Sequence, residues 1–165
     1  MKETPSIKVG LGYDIHPLIP GRRFVLGGVE IPFEKGPQGH SDGDCLLHAI
    51  TDALLGAMGL GDMGHFFPDT DVQWKNVPSI IFLEKMAQML VEQKLCVGNI
   101  DSIIQTEQPK LISFLSRMKE KISEALGCEV SQINIKAKRG EGLDAVGRGE
   151  AIAAQAVVLL MRIRP

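Results

Sequence analysis

Ala151-Ile152-Ala153-Ala154-Gln155-Ala156-Val157-Val158-Leu159-Leu160-Met161 is the longest apolar run in the chain, interrupted only by Gln155. Its alanines favour a helix, its β-branched residues allow a long buried strand, and periodicity alone does not separate the two. Extended to Ile163, the segment remains one candidate element of either kind. A helix needs about 20 residues to cross a bilayer. This run is shorter, so it belongs to a core or an interface, and no membrane partner is expected.

Working outward, the first third of the chain reads as strands. Ile7 to Asp14 alternates loosely and ends in turn residues, and Arg23 to Phe33 reads as two short strands joined at Gly27-Gly28. Asp44 is placed to cap a helix from about Cys45 to Met58, with Leu46, Leu47, Ile50, Leu54 and Met58 on its apolar face and Gly59-Leu60-Gly61 to stop it. The stretch from Gly59 to Val77 is rich in Gly, Pro and Asp and has no period of its own, the mark of a functional or disordered loop. Pro78 fits the first turn of a second helix carrying Ile81, Leu83, Met86, Met89, Leu90 and Leu95. Val97 to Gln105 reads as a strand. Pro109 opens a third predicted helix, with Leu111, Ile112, Phe114, Leu115, Met118, Ile122 and Leu126 as its stripe and Gly127 as its end. Ile133 to Lys138 alternates as a strand.

With 165 residues, 44% hydrophobic and 23% charged, the chain suits one domain around a single core. Residues 1–6 are expected to be flexible. A formal charge of −2 supplies no global basic field, and only Lys136-Ala137-Lys138-Arg139 approaches a basic patch, so nucleic acid is not an expected partner. Cys45, Cys96 and Cys128 are odd in number, widely spaced and set in apolar surroundings, which suits reduced thiols better than a disulfide framework. Met1 to Ser6 has neither the apolar segment of a signal peptide nor the Arg-rich character of a transit peptide. A cytoplasmic location is the expectation.

Chemistry concentrates in four motifs. In Gly12-Tyr13-Asp14-Ile15-His16-Pro17 an extended backbone points Asp14 and His16 to one side, and His48 offers a third ligand from an apolar helix. Two histidines and a carboxylate with an open fourth position describe a catalytic divalent-metal site, most often zinc. The same residues also fit a strand ending at Asp14, a turn at His16 and a core-packed His48, since ligand spacing alone is weak. His40-Ser41-Asp42-Gly43-Asp44 places a histidine, a hydroxyl and backbone N–H groups at a helix start, where a phosphate sits well. Plain capping and chain reversal account for it equally. Asp52, one turn after His48, suits an acceptor behind that histidine or an exposed polar pair with it.

Gly61-Asp62-Met63-Gly64-His65-Phe66-Phe67-Pro68-Asp69-Thr70-Asp71 combines close-approach glycines, aromatic surface and carboxylates, a composition for closing over a polyol. Its carboxylates lack EF-hand spacing, and His65 reads as solvated or packing. Lys136 to Gly142, followed by Gly147-Arg148-Gly149-Glu150, sets cations beside glycines as phosphates require, with Glu141 able to hold magnesium; a solvated charged loop is the common alternative. Gly10-Leu11-Gly12 is not a dinucleotide fingerprint, because no third glycine or helix follows.

Taken in order from Lys8 to Arg162, these motifs together resemble the 2-C-methyl-D-erythritol 2,4-cyclodiphosphate synthase family of the non-mevalonate isoprenoid pathway. The resemblance implies an α+β fold: a mixed β-sheet with helices packed on one face, the sheets of a homotrimer arranged around a threefold axis. The segment from Ala151 is then a strand in that central interface, and active sites lie between adjacent subunits. The implied reaction converts 4-diphosphocytidyl-2-C-methyl-D-erythritol 2-phosphate into the 2,4-cyclodiphosphate and CMP. Zinc would sit on Asp14, His16 and His48 with a substrate phosphate oxygen as fourth ligand, and magnesium or manganese on Glu141 and the phosphates.

By the same resemblance, His40 and Ser41 meet the 2-phosphate, with His40 stabilising the transition state. Asp62, Met63 and Gly64, with Phe67, Pro68, Asp69, Thr70 and Asp71, hold the erythritol, while Thr106, Glu107, Gln108, Pro109, Lys110, Leu111 and Ile112, with Ala137 to Gly140, form the cytidine and phosphate pocket. The chain departs from the family's pattern after Ala137, where two threonines are usual and Lys138 and Arg139 stand instead. Arg139 is expected to act catalytically by replacing a hydroxyl bond with a charge-assisted one. Pointing away, it would leave that work to a backbone N–H. Ala145, preceded by Asp144, replaces an aromatic near the threefold axis, and Arg148 remains as a diphosphate-binding cation there. Two rival readings use the same ligands: a zinc phosphohydrolase, and a non-enzymatic oligomer stapled by a closed metal site.

Overall fold

The computed structural model describes residues 7–163, so the expectation for residues 1–6 lies outside the described residues. The elements are β1 (Ile7–Pro20), β2 (Phe24–Leu26), β3 (Val29–Ile31), β4 (Lys35–Pro37), α1 (Cys45–Met58), α2 (Met63–Phe66), α3 (Ile80–Glu92), β5 (Leu95–Gln105), α4 (Leu115–Leu126), β6 (Ile133–Lys138) and β7 (Ala151–Arg162). Five strands form one mixed sheet in the order β4-β1-β7-β5-β6, in which only β5 and β6 run parallel; β2 and β3 make a separate hairpin.

The ambiguous segment from Ala151 is the middle strand of that sheet. Flanked by β1 and β5, its backbone groups are paired on both edges, and Ala154, Ala156, Val158 and Leu160 are buried beneath the helices. Small and branched side chains fill this narrow space, so tertiary pairing overrides the helical preference of alanine.

β1 does not end at Asp14 but continues through His16 and Pro17 to Pro20. Its even-numbered residues face α1. A Cβ at Gly10 would lie 1.9 Å from the Ala53 carbonyl oxygen and one at Gly12 1.9 Å from that of Ala49, so both glycines let the helix rest on bare strand backbone. Because α1 runs opposite to β1, the next even residue, Asp14, lies toward the start of the helix, where its carbonyl meets Cys45 and its carboxylate meets His48. The odd residues face the other way: Val9 is 62% and Leu11 69% exposed, and Ile7, Tyr13 and Ile15 are exposed beside them.

Asp44 caps α1 through the Leu47 N–H (3.1 Å) and also accepts the Gly27 and Gly28 N–H groups (2.9 and 2.8 Å), tying the β2–β3 turn to the helix start. Gly59, at φ 76°, closes the helix as predicted. Two helix starts fall later than the sequence suggests. Pro78 precedes α3 by two residues, and Leu95 opens β5 rather than ending that helix. α4 begins at Leu115, not Pro109, because residues 106–114 form a turn whose Thr106 hydroxyl donates to the Gln108 carbonyl (2.7 Å); Leu111 is buried while Ile112 is exposed. The Gly59–Val77 loop contains α2 and a 3-10 turn (Val72–Trp74), capped by Asp62 and Asp71 respectively. No described helix is long and apolar enough to cross a membrane.

Candidate active site

Asp14 and His16 project from β1 toward His48, one turn into α1. Asp14 Oδ2 lies 2.9 Å from His16 Nε2 and 3.0 Å from His48 Nδ1, and the two ring nitrogens are 3.1 Å apart. Three lone-pair atoms at this spacing need a positive charge among them, a proton or a cation. Tetrahedral zinc, with bonds near 2.0–2.1 Å, separates its ligands by about 3.3 Å, so the triangle fits such an ion. Burial pushes the Asp14 carboxyl up, but hydrogen bonds from His16 and His48, with their charges, outweigh it and hold the group well below the usual carboxylate range.

The triad opens onto a cavity of about 460 Å³ that also has His40, Ser41, Met63, Gly64, Phe67 and Asp69 in its wall. Most of the residues predicted to hold a phosphorylated polyol thus come together here. Met63 is anchored by Asp52, which accepts its N–H at 2.7 Å. Asp52 therefore neither backs His48 nor pairs with it at the surface. Asp62 and Asp71 serve as caps, Pro68 is half-buried and Thr70 is exposed, so these four frame the loop rather than line the cavity. His65 is exposed and stacks edge-on against Phe66, as a packing residue would.

Four residues of this region carry no signal in the sequence beyond an ordinary turn or core position. The Ser79 hydroxyl lies 2.9 Å from His48 Nε2. Phe82 and Trp74 complete an aromatic wall with Phe67, the Phe67 and Phe82 centroids being 4.4 Å apart. Arg22 donates Nη2 to the carbonyls of Gly39 (3.0 Å) and Ser41 (2.6 Å), bracing the turn that presents His40, whose Nε2 is 3.1 Å from the Asp71 carbonyl.

A second cavity, about 330 Å³, opens at the carboxyl ends of β5 and β6. Its lining includes Thr106, Glu107, Pro109, Lys110, Leu111 and Ile112 on one side and Ala137, Lys138 and Arg139 on the other. The structure thus brings together nine of the residues expected around a cytidine diphosphate, while Gln108 contributes its carbonyl to the turn instead. Arg139 is paired with Glu107, Nε to Oε1 at 3.0 Å, and Glu107 also accepts the Glu141 N–H at 2.9 Å. Glu141 stands exposed at φ 52° on the loop tip beside Gly140. Arg148 pairs with Glu150 at 3.0 Å, Asp144 accepts the Gly147 N–H at 2.9 Å, and Ala145 packs beside Val146, Ala151 and Ala153.

Register relates the two cavities. Asp14 pairs with Ala154, Ala154 with Ile104, and Ile104 with Ala137, which puts the triad and the second pocket at one end of the sheet. Three strand spacings, about 14 Å, separate them within a chain.

A mixed sheet with helices on one face thus carries, at one end, a candidate three-ligand cation site and a second pocket, which defines the class as an α+β protein with a candidate metal centre. The chain belongs to the YgbB family, whose model matches residues 7–161. The 2-C-methyl-D-erythritol 2,4-cyclodiphosphate synthase of Alkaliphilus metalliredigens is 52% identical over 152 residues, covering 92% of this chain and 96% of its own. Plasmodium falciparum IspF in a CDP complex superposes with a TM-score of 0.86 at 32% identity over 98% of this chain and all of that one. The bifunctional IspDF of Campylobacter jejuni matches at TM-score 0.90 and 38% identity, with 94% of this chain laid on 42% of the longer protein.

Proposed function

We propose that this chain carries out the cyclisation for which its relatives are named, converting 4-diphosphocytidyl-2-C-methyl-D-erythritol 2-phosphate into 2-C-methyl-D-erythritol 2,4-cyclodiphosphate and CMP. The observation that carries the reading is the pairing of an open-sided Asp14–His16–His48 site, set in a polyol-sized cavity, with a pocket of nucleoside dimensions at the same end of the sheet. An oxygen of the 2-phosphate attacks the β-phosphorus, and the bond from that phosphorus to the bridging oxygen breaks, leaving the bridging oxygen on CMP. The nucleophile is anionic at neutral pH, so no general base is required. What remains for the protein is positioning and charge neutralisation.

His40 and Ser41 receive the 2-phosphate, and the loop from Asp62 to Asp71 encloses the erythritol. Thr106 to Ile112 and Ala137 to Gly140 hold the cytidine and its diphosphate, with Arg139 turning from Glu107 to the phosphates. Zinc on the triad and magnesium or manganese on Glu141 supply Lewis-acid charge neutralisation when bound.

The unit is a single domain working as a cytoplasmic homotrimer. Two observations support assembly: the exposed apolar stripe Ile7, Val9, Leu11, Tyr13 and Ile15 on the helix-free face, and the gap of about 14 Å between the two cavities of one chain. Packing sheets around a threefold axis covers the stripe and brings one protomer's triad to its neighbour's nucleotide pocket, where Ala145 and Arg148 approach the axis.

Incubation of purified protein with the cytidine-diphosphate substrate, with and without chelator, followed by phosphorus NMR of the products, tests the reaction. Cyclic diphosphate and CMP, lost on chelation, are expected; linear hydrolysis products would favour the phosphohydrolase reading. Sedimentation of a species other than a trimer would remove the shared-site arrangement.

A further inference from the structure

Ser79 and Asp42 sit behind His48, on the side away from Asp14 and His16. Ser79 is fully buried, and its hydroxyl lies against Asp42 Oδ1 and 2.9 Å from His48 Nε2. The Asp42 carboxylate only accepts: Oδ2 takes the Ser79 N–H at 3.0 Å, and Oδ1 takes the Asp44 N–H at 3.1 Å as well as the Ser79 hydroxyl. The one proton of Ser79 is thus committed to a carboxylate, and what the Ser79 oxygen offers His48 is a lone pair. Ser41 adds a second hydroxyl oxygen 3.0 Å from the same nitrogen, itself accepting the Gly43 N–H at 3.2 Å.

We infer that Asp42 and Ser79 are positioning residues for the cation site: when a cation takes the place of the Nδ1 proton that Asp14 accepts, their relay holds the remaining His48 proton on Nε2, leaving the Nδ1 lone pair for the cation. The inference rests on the metal-site reading above and deepens it. Without the relay, a neutral imidazole is free to carry its proton on Nδ1, which faces the other two ligand atoms and closes the site to a cation. Two residues distant in sequence, one in the turn before α1 and one at the start of α3, thereby set the chemical state of a ligand they never replace. The same relay ties the α3 start to the turn carrying His40, because the Asp42 N–H is donated to the Val77 carbonyl at 3.2 Å.

The test is zinc affinity of the purified full chain, measured by competition with a chromophoric chelator. Ser79→Ala is expected to bind zinc about 10-fold more weakly, with Ser41 as the remaining acceptor, and Ser41→Ala/Ser79→Ala about 100-fold more weakly. A folded Ser79→Ala protein with parental zinc affinity overturns the inference. NMR of the zinc-loaded parent, labelled with 15N-histidine, gives an independent reading that needs no variant. A slowly exchanging proton on His48 Nε2 is expected, and its absence also overturns the inference. If the parent takes up zinc no better than His48→Ala does, the metal-site reading itself fails; parental uptake without a Ser79 effect removes only the relay.

Discussion

The corner that holds Asp14, His16 and His48 is enclosed and crossed by hydrogen bonds, whereas the corner that holds Glu107, Arg139 and Glu141 lies open and its charges pair with one another. In the first, a strand, a helix and the start of a second helix each fix one part of the geometry. In the second, a single carboxylate holds an arginine and a loop tip, which under the proposed function both turn to a phosphate. Pre-organisation at one corner and deferral at the other predict that substitutions will differ in kind as well as size. The largest effect is expected at the enclosed corner. His48→Ala should abolish metal binding and lower kcat/KM by at least about 1,000-fold, checked by metal analysis beside steady-state rates. A metal-free variant that still turns over would erase the contrast between the corners.

Next in size is the scaffold of that corner. Asp44 accepts three N–H groups, one capping α1 and two from the β2–β3 turn, so Asp44→Ala should lower stability by about 2–3 kcal/mol in denaturant unfolding. Its titration adds a pH signature. Burial, reinforced by the charge of Asp42 and opposed by the three donors, pushes the Asp44 carboxyl up from 3.8 to about 6. A folded value above the unfolded one means the protonated form favours folding, so this contribution is full below about pH 4 and lost as pH rises through about 6. The stability advantage of the parent over Asp44→Asn should therefore narrow between pH 4 and pH 7; an advantage that widens would contradict the burial argument.

The same two corners explain what could be seen in the sequence. Asp14 and His16 were legible because strand geometry is local: positions i and i+2 must share a face. Gly10 and Gly12 on that face, by contrast, carry meaning only once α1 is laid against them, and Ser79 and Asp42 need a contact across 37 residues. The helix starts at Pro78 and Pro109 were misplaced because proline marks a permitted first turn without requiring one. At Ala151 to Met161, intrinsic propensity pointed both ways and the two flanking strands decided. Arg139 was legible as a cation beside glycines, but not its partner, since Glu107 lies just past the end of β5 and is brought close only by β5–β6 pairing.

At the open corner Arg139→Ala should lower kcat about 10-fold, the scale of one charge-assisted hydrogen bond, with metal content unchanged. Unaltered turnover would reduce Arg139 to a partner of Glu107. The smallest effect, and the sharpest probe of deferral, is Glu107→Gln. Arg139 can reach a phosphate only by leaving Glu107, so the parent must break one pairing to make the other. A neutral amide competes less for the guanidinium while occupying the same space, and an ion pair whose arginine is 58% exposed is weak. Glu107→Gln should therefore lower KM by about 2- to 5-fold with kcat and thermal midpoint nearly unchanged. A rise in KM would mean that Glu107 aims Arg139 at the substrate rather than withholding it, and the open corner would then be as pre-organised as the enclosed one.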